Sequence, residues 1–217
     1  MRNTFDRFNG RHQDYQAARP SYAQEFLDWL GELYAPPERY TAADIGSGTG
    51  KLSAQLLAAG FRVCGVEPNP DMRGAAEALL GGDSRFSSSN GTDHDTGLPD
   101  RSVDMVAAAQ AFHWFDGPSF ARECRRILRP GGRAVLVWNV RGSAPMNQAL
   151  AQVFREHCPS FHGFTGGMGE DDPRIRDFFG GAYEKRRFPN PLTLDRDRFL
   201  RRCFSLSLIH ISEPTRL

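Results

Sequence analysis

The segment ADIGSGTGKLS, which spans residues 43–53, places three alternating glycines directly after a short apolar stretch. An acid, Asp44, precedes Gly46, Gly48 and Gly50, and a lysine follows them. Loops of this composition connect the first strand to the first helix in several nucleotide-binding folds, because glycine lets the backbone approach a ligand closely. The ligand that lies over this loop therefore decides the function of the protein.

Two common phosphate-binding motifs fit the segment poorly. The P-loop motif G-x-x-x-x-G-K-[ST], aligned on the last glycine, requires glycine and a hydroxyl where the chain has Ile45 and Leu52. The dinucleotide motif G-x-G-x-x-G matches at Gly46 and Gly48 but has Lys51 in place of its third glycine. A lysine is awkward at the point where that glycine packs a helix against a strand, so Lys51 is predicted to be an exposed residue of the first helical turn.

Apolar strand patterns and helical patterns alternate along the first two thirds of the chain. After an N-terminal helix within residues 21–33, which Pro36 and Pro37 end, this alternation predicts a doubly wound parallel α/β sheet. The predicted strands cover residues 40–46, 61–68, 84–89, 102–112 and 133–140, and the helices between them cover 51–60, 69–82 and 118–128. Beyond residue 140 the pattern predicts a helix at 144–158 and a sixth strand at 182–188.

The overall composition excludes several classes of protein. The chain has 217 residues, a net charge of +1 and 40% hydrophobic residues, which gives no reason to expect binding to nucleic acid or anionic lipid. No apolar run reaches the roughly 18 residues of a membrane span, so no membrane association is predicted. The cysteines are far apart and predict neither a zinc site nor a disulfide framework, as in a cytoplasmic protein. They are Cys64, Cys124, Cys158 and Cys203.

A second acid follows the glycine loop by about twenty residues, the distance at which dinucleotide folds place a ribose-binding carboxylate. This acid is Glu67, at the end of the second predicted strand. A glycine loop at a helix N-terminus suits a single carboxylate, and Glu67 suits the two hydroxyls of a sugar. A nucleoside that carries an amino acid satisfies both conditions, so the predicted cofactor is S-adenosylmethionine. Asp44 is expected either to organise the loop or to contact this ligand.

Five segments, in this order and spacing, resemble the class I methyltransferases, and specifically the type-11 methyltransferase family. They are ADIGSGTG, VCGVEPNPDM, GLPDRSVDMV, AQAFHWFD and CRRILRPGGRAVLVW. AQAFHWFD and the early segment YQAARPSY are similar to the branch of trans-aconitate methyltransferase-like proteins. The resemblance covers roughly residues 1–205. It implies a Rossmann-like sheet and transfer of a methyl group to a small-molecule acceptor.

The resemblance also assigns cofactor-binding positions. It implies that the N-terminal segment closes over the methionine end, the glycine loop holds the methionine moiety, and later positions hold the ribose, adenosine, adenine and pocket floor. In that order the residues are Tyr15 and Arg19; Asp44, Gly46, Ser47, Gly48 and Gly50; Glu67; Pro68 and Met72; Asp93 and His94; and Gln110. Asp93 and His94 depart from the usual Ala-Glu of the family, and local capping of the loop is the alternative role for them.

The acceptor side of the predicted site rests on His113, Trp114 and Arg141. His113 follows the fourth strand at the edge where open α/β sheets bind ligands, and it is expected to line the pocket, to transfer a proton as a catalytic residue or only to pack. Trp114 is expected to line the same pocket. If the acceptor is a carboxylate, Arg141 or Arg19 would steer it. The rival functions are an NAD-dependent oxidoreductase and a cofactor-binding module without turnover.

The last segment, LSLIHISEPTR at residues 206–216, resembles a translated sequencing adaptor and is predicted to be non-native. The chain is therefore expected to be a fragment whose sheet lacks its last strand and whose fifth strand keeps an open edge. The predicted organisation has four parts. These are a cofactor-covering segment and helix at 1–40, a cofactor-binding core at 41–142, a substrate-side region at 143–205 and the tail at 206–217.

Overall fold

The computed structural model describes residues 20–142, 144–158, 161, 163–164 and 168–204. Five strands and seven α-helices lie within these residues. The strands are β1 (Thr41–Ile45), β2 (Arg62–Val66), β3 (Phe86–Ser89), β4 (Val103–Ala109) and β5 (Leu128–Val137). The helices are α1 (Gln24–Leu33), α2 (Lys51–Ala58), α3 (Pro70–Leu80), α4 (Gly117–Ile127), α5 (Pro145–His157), α6 (Pro173–Phe178) and α7 (Arg196–Phe204).

The five strands form one parallel sheet in the order β3-β2-β1-β4-β5. The chain runs outward from β1 to β3, then returns to the other side of β1 and continues through β4 to β5. The strand order therefore reverses between β1 and β4, and a crevice opens at the carboxyl ends of these two strands. This arrangement confirms the predicted doubly wound, Rossmann-like α/β fold.

Both faces of the central strand β1 are covered by other parts of the chain. Ala42 packs on one face in a cluster with Phe26 and Leu30 of α1 and Leu56 of α2. Its neighbour Ala43 lies on the opposite face, in a cluster with residues of α4 and α6. Both alanines are fully buried. A strand covered on both faces is largely apolar, and among the buried residues of β1 only Asp44, which is bonded to Ser53, departs from this rule.

The region after β5 differs from the sequence prediction. Residues 182–188, predicted as a sixth strand, form no strand in the structure. Their basic side chains are held by an acidic turn instead, since Lys185 Nζ lies 3.2 Å from Glu170 Oε2 and 3.1 Å from Asp171 Oδ1. The alternation of these residues comes from an exposed ion-paired surface and not from a buried strand face. Within the described residues, β5 pairs only with β4.

A helix that the sequence analysis did not predict, α6, completes the second layer. Its Phe178 stacks on Phe120 of α4, with ring centroids 5.1 Å apart and planes at 15°. Phe178 also contacts Phe112, just beyond β4, at a centroid distance of 5.2 Å. These aromatic contacts fix the segment that leaves β4 at the crevice, and they bury a large apolar area behind it.

Two glycines of the loop allow a matched test of packing. A Cβ on Gly50 would lie 2.9 Å from Leu80 Cδ1 and 3.1 Å from Ala76 Cβ, whereas a Cβ on Gly48 would meet nothing within 4 Å. Both residues have positive φ, so both substitutions by alanine strain the backbone. We expect Gly50→Ala to lower the free energy of unfolding by about 2–4 kcal/mol and Gly48→Ala by only about 1–2 kcal/mol. Urea unfolding of both variants measures the difference, and equal losses would contradict the contact between α2 and α3.

Candidate active site

The glycine loop is held by the end of the neighbouring strand β2. The backbone N–H groups of Gly46 and Ser47 both donate to the carbonyl oxygen of Val66, at 2.9 and 3.1 Å. Gly46, Gly48 and Gly50 have φ values of 70°, 56° and 78°, a region that side chains disfavour. A Cβ on Gly46 would lie 2.8 Å from Ala111 Cβ, so the backbone after β4 also requires glycine there. The loop is thus fixed from two sides at the crevice.

Asp44, the last residue but one of β1, is a buried acid with one unsatisfied oxygen. Its side chain is 1% exposed, and its Oδ2 accepts a hydrogen bond of 2.7 Å from the Ser53 hydroxyl of α2. Its Oδ1 is also buried and has no hydrogen-bond partner within the described part of the chain. Burial raises the pKa of Asp44 from 3.8 to about 6, against the lowering effect of Ser53 and with a further rise from the charge of Glu67. Such a carboxylate is suited to a cationic partner.

Glu67, which directly follows β2, connects the two halves of the crevice. Its Oε2 accepts a 2.9 Å hydrogen bond from the Gly48 N–H, and its Oε1 accepts one of the same length from the Asn69 N–H. Burial raises the pKa of Glu67, while these two backbone donors and the nearby Arg73 act in the opposite direction. Each carboxylate oxygen has a second lone pair, so Glu67 can accept further hydrogen bonds from a ligand without releasing the loop.

Two cavities lie on either side of the loop, and Gly46, Gly48, Ala109 and Gln110 line both of them. The first, called here the loop cavity, is otherwise lined by Pro20, Tyr22, Asp44, Ser47, Thr49, Lys51, Leu52 and Asn139. The second, called here the Glu67 cavity, is otherwise lined by Glu67, Pro68, Asn69, Met72, Gly91, Thr92, Asp93, Ala111, Trp114 and Phe115. Both open at the carboxyl ends of β1, β2 and β4, where an open α/β sheet binds its ligands.

Most of the residues predicted from the sequence line these cavities. Pro68 and Met72 lie beside Glu67, and α3 begins there because the Asn69 side chain accepts a 3.0 Å hydrogen bond from the Met72 N–H. Asp93 lines the Glu67 cavity, and its Oδ2 also accepts a hydrogen bond from the Asp116 N–H at 3.1 Å. Asp93 therefore faces the crevice and also accepts from the residue that precedes α4, while its expected contact with the adenine stays a prediction.

Two further predicted residues line the cavities, Gln110 in both and Trp114 in the Glu67 cavity. Gln110 has a positive φ of 55°, and its side-chain Nε2 donates to the Asn139 carbonyl at 3.2 Å. Its side chain is thereby tied to the segment after β5. Trp114 lines the Glu67 cavity with 47% of its surface exposed, so an apolar ring is available at the rim.

Four predicted residues line neither of these two cavities. Gly50 instead lets α2 approach α3, and His94 is largely exposed, with Nδ1 3.2 Å from Asp93 Oδ1. His113 lies in the short 3₁₀ helix Phe112–Trp114, with its ring 4.9 Å from that of Trp114, and the Arg141 guanidinium lies 4.0 Å from the centre of the Phe164 ring. The other two predicted positions, Tyr15 and Arg19, lie outside the described residues.

Several lining residues were not predicted from the sequence. Lys51 was expected to be merely exposed, but it is partly buried and lines the loop cavity. Asn139 ties the start of the described chain to the crevice, since its Nδ2 donates to the carbonyl of Ser21 at 3.2 Å. Phe115 continues the aromatic rim of Trp114. The HWF motif could have indicated this rim, but nothing local to Asn139 shows that it meets residues 118 positions earlier.

The donor set fits S-adenosylmethionine better than a dinucleotide. The Asp44 carboxylate on the loop side of the crevice, with one buried oxygen that no described residue contacts by a hydrogen bond, suits an ammonium or sulfonium group and repels a pyrophosphate. Glu67 on the other side suits the hydroxyls of a ribose. Within the described residues no cluster of three or more His, Cys, Asp or Glu side chains could hold a metal ion. No helix in the described ranges has the length and apolar character needed to cross a bilayer.

The raised pKa of Asp44 predicts how stability depends on pH. The folded state holds this proton more tightly than the unfolded chain, so the contribution of Asp44 to stability is fully present below about pH 4 and is lost as the pH rises through about 6. The difference between the two pKa values corresponds to about 3 kcal/mol. We expect Asp44→Asn to remove this loss. The free energy of unfolding of the variant should therefore rise relative to that of the unsubstituted protein as the pH increases from about 4 to about 7.

Urea unfolding across this pH range measures the effect. The control is Asp28→Asn, which removes an exposed carboxylate of α1 and should give a profile parallel to that of the unsubstituted protein. A parallel profile for Asp44→Asn as well would contradict the burial of an ionised Asp44.

The chain is similar to known methyltransferases in sequence and in structure. Residues 43–136, which contain the glycine loop, β2 to β4 and most of β5, match the family described as "Methyltransferase domain". An uncharacterised methyltransferase of Mycobacterium tuberculosis is 42% identical over 127 residues, which are 58% of this chain and 49% of that protein. One from Schizosaccharomyces pombe is 32% identical over 148 residues, which are 67% of this chain and 57% of that protein.

A solved structure extends the comparison over most of the chain. The structure of a protein assigned as a type II methyltransferase from Anaeromyxobacter dehalogenans has 30% sequence identity and a TM-score of 0.57. The match covers 88% of this chain and 80% of the other. The chain spans about half the length of the curated relatives it matches first. Together with the parallel sheet and the glycine loop at its switch point, these similarities show that the chain belongs to the class I methyltransferase family, the S-adenosylmethionine-dependent methyltransferases with a Rossmann-like fold.

Proposed function

We propose that this protein binds S-adenosylmethionine across the two cavities and transfers its methyl group to a small-molecule acceptor. The observation that carries the proposal is the position of the glycine loop between two acids of different surroundings. On one side Asp44 has a buried oxygen without a partner among the described residues, and on the other Glu67 has a carboxylate fixed by two backbone donors. A ligand with a cationic end and a sugar matches this division.

The methionine end would occupy the loop cavity. Gly46 and Gly48 expose their backbone there without side chains, and a Cβ on Gly48 would project into open space. Ser47 and Thr49 add hydroxyl groups to the same wall. Asp44 would receive the ammonium or stabilise the nearby sulfonium charge, because its buried Oδ1 has no partner within the described ranges.

The adenosine end would occupy the Glu67 cavity. Glu67 would accept hydrogen bonds from the ribose hydroxyls, as the corresponding acid does in other Rossmann-like folds. Met72, Trp114 and Phe115 supply apolar and aromatic surface for a purine ring. Asp93 and the backbone of Gly91 and Thr92 supply polar groups at the edge of this cavity.

The cofactor, when bound, supplies an activated methyl group on a sulfonium leaving group. The contribution of the chain is to hold the donor in a fixed position and to exclude water from the reacting atoms, which is worth several kcal/mol when the geometry is close to that of attack. A carboxylate acceptor needs no general base because it is already ionised at neutral pH. The AQAFHWFD segment and its resemblance to the trans-aconitate branch support a small carboxylic acid as the acceptor.

The structure gives little support to the two acceptor-side roles expected from the sequence. Arg141 contacts the Phe164 ring, and His113 lies against Trp114. We therefore assign neither the steering of an anion nor proton transfer to them. The rival NAD-dependent oxidoreductase is disfavoured, because Asp44 would face the pyrophosphate of a dinucleotide and Lys51 stands where its third glycine is required.

Binding by Glu67 predicts a specific loss of affinity. Glu67→Gln must turn its amide nitrogen toward either Gly48 N–H or Asn69 N–H, and it also weakens the acceptor for a ribose. We expect the dissociation constant for S-adenosylhomocysteine, measured by calorimetry, to rise at least tenfold. Glu77→Gln is the matched control, since Glu77 is a half-exposed acid of α3 that lines neither cavity. Its dissociation constant for S-adenosylhomocysteine should stay within about twofold of that of the unsubstituted chain.

Turnover is tested with radiolabelled S-adenosylmethionine and a panel of small carboxylic acids, phenols and amines. We expect label to be transferred to a carboxylic acid and S-adenosylhomocysteine to accumulate in equal amount. Calorimetric binding of NAD in place of S-adenosylhomocysteine would overturn the proposal. Tight binding of the methyl donor without conversion on any acceptor would support the non-enzymatic alternative.

A further inference from the structure

We propose that Lys51 binds the α-carboxylate of the cofactor, so that Lys51 and Asp44 together select ligands with a zwitterionic amino-acid end. This inference rests on the proposed function and adds a specificity-determining residue to it. Lys51 is the first residue of α2, directly after the glycine loop, and it lines the loop cavity together with Asp44. A cation and an anion on one cavity wall match the two charges of an α-amino acid.

The distribution of charge between the two cavities supports this assignment. Lys51 is the one Lys or Arg among the described residues that line either cavity, and it belongs to the loop cavity. The charged residues lining the Glu67 cavity are both acids, Glu67 and Asp93. An α-carboxylate would be repelled in the Glu67 cavity and attracted in the loop cavity, so the charges orient the ligand as well as bind it.

The start of α2 adds a second attraction for an anion at the same place. The first N–H groups of a helix have no partners within the helix, and the helix dipole places partial positive charge there. Gly50, which directly precedes the helix, has no side chain and therefore supplies no cap of its own to these groups. Lys51 stands at this terminus, where it adds a full positive charge to the partial one.

Asp44 supplies the complementary half. The Ser53 hydroxyl of α2 holds Oδ2, which fixes the carboxylate and leaves Oδ1 without a partner among the described residues. An ammonium group that donates to Oδ1 would satisfy the one buried side-chain oxygen that lacks a partner in the described part of the chain. The same helix therefore carries Lys51 and Ser53, so the positions of the cation and of the acid are set by one element.

The strength of the Lys51 contact is bounded by its partial exposure. Ion pairs that solvent reaches are screened, and a charged hydrogen bond at such a site changes affinity by about tenfold. The contribution of Lys51 should therefore be moderate and should decrease with salt.

The test compares two ligands that differ only in the amino-acid end. S-Adenosylhomocysteine carries it, whereas 5′-methylthioadenosine has the same adenosine and thioether sulfur without it. Calorimetry would be done on the unsubstituted chain and on Lys51→Met, Lys51→Arg and Arg62→Met, the last of which removes an exposed cation at the start of β2. Urea unfolding of each variant verifies that it is folded.

We expect Lys51→Met to raise the dissociation constant for S-adenosylhomocysteine about tenfold and that for 5′-methylthioadenosine less than twofold. Lys51→Arg should restore most of the affinity for S-adenosylhomocysteine, and Arg62→Met should change the affinity for neither ligand. Added salt should lower the affinity of the unsubstituted chain for S-adenosylhomocysteine more than that of Lys51→Met. Equal effects of Lys51→Met on both ligands, or no effect on S-adenosylhomocysteine, would overturn the inference and leave the proposed function intact. Failure of the unsubstituted chain to bind either ligand would overturn the proposed function itself.

Discussion

The hydrogen bonds between the glycine loop and the end of β2 are the constraint on which the site depends. Val66 accepts from two successive N–H groups of the loop, and Glu67 accepts from a third at Gly48. The loop consequently follows the end of the neighbouring strand and cannot be positioned by its own sequence alone. Because these bonds require φ values that side chains disfavour, the alternating glycines are a condition of the turn itself as well as of ligand access.

The same constraint gives the two acids different surroundings. Asp44 is enclosed by the sheet and α2, and one of its oxygens has no partner among the residues that the structure describes, whereas Glu67 has a backbone donor on each oxygen. Leaving a buried carboxylate oxygen unpaired costs stability, and such costs are typical of positions that a ligand completes. Within the described residues, the site therefore has an unsatisfied interaction at Asp44 and two completed ones at Glu67.

The sequence predicted the sheet well because its determinants are local. Strands covered on both faces are apolar, and glycines and prolines mark their ends, so all five strands were expected. The failures came where tertiary contacts decide. Residues 182–188 alternate like a strand but are held by ion pairs to Glu170 and Asp171, and α6 depends on aromatic stacking against α4. The strand β5 also begins earlier than expected, at Leu128, through a shift in register opposite Val103.

The candidate site was predictable to the extent that its residues follow the strands directly. Asp44, Glu67 and Gln110 each stand at or just beyond the carboxyl end of a strand, which a pattern of strands locates. The direction of a side chain beyond that point is not encoded in spacing. His113 has suitable chemistry but lies outside both cavities, and Lys51, dismissed as a surface residue, lines one of them.

The close approach of α2 to α3 at Gly50 has a consequence for motion in the crevice. The Gly50 backbone lies against Ala76 and Leu80 of α3, and α3 also carries Met72 on the wall of the Glu67 cavity. The start of α2 and the helix that carries Met72 therefore meet at this glycine, and a side chain at residue 50 would push the walls of the two cavities apart. The other borders of the crevice, which are the Tyr22 segment, the loop of residues 91–93 and the segment around Asn139, do not depend on this contact.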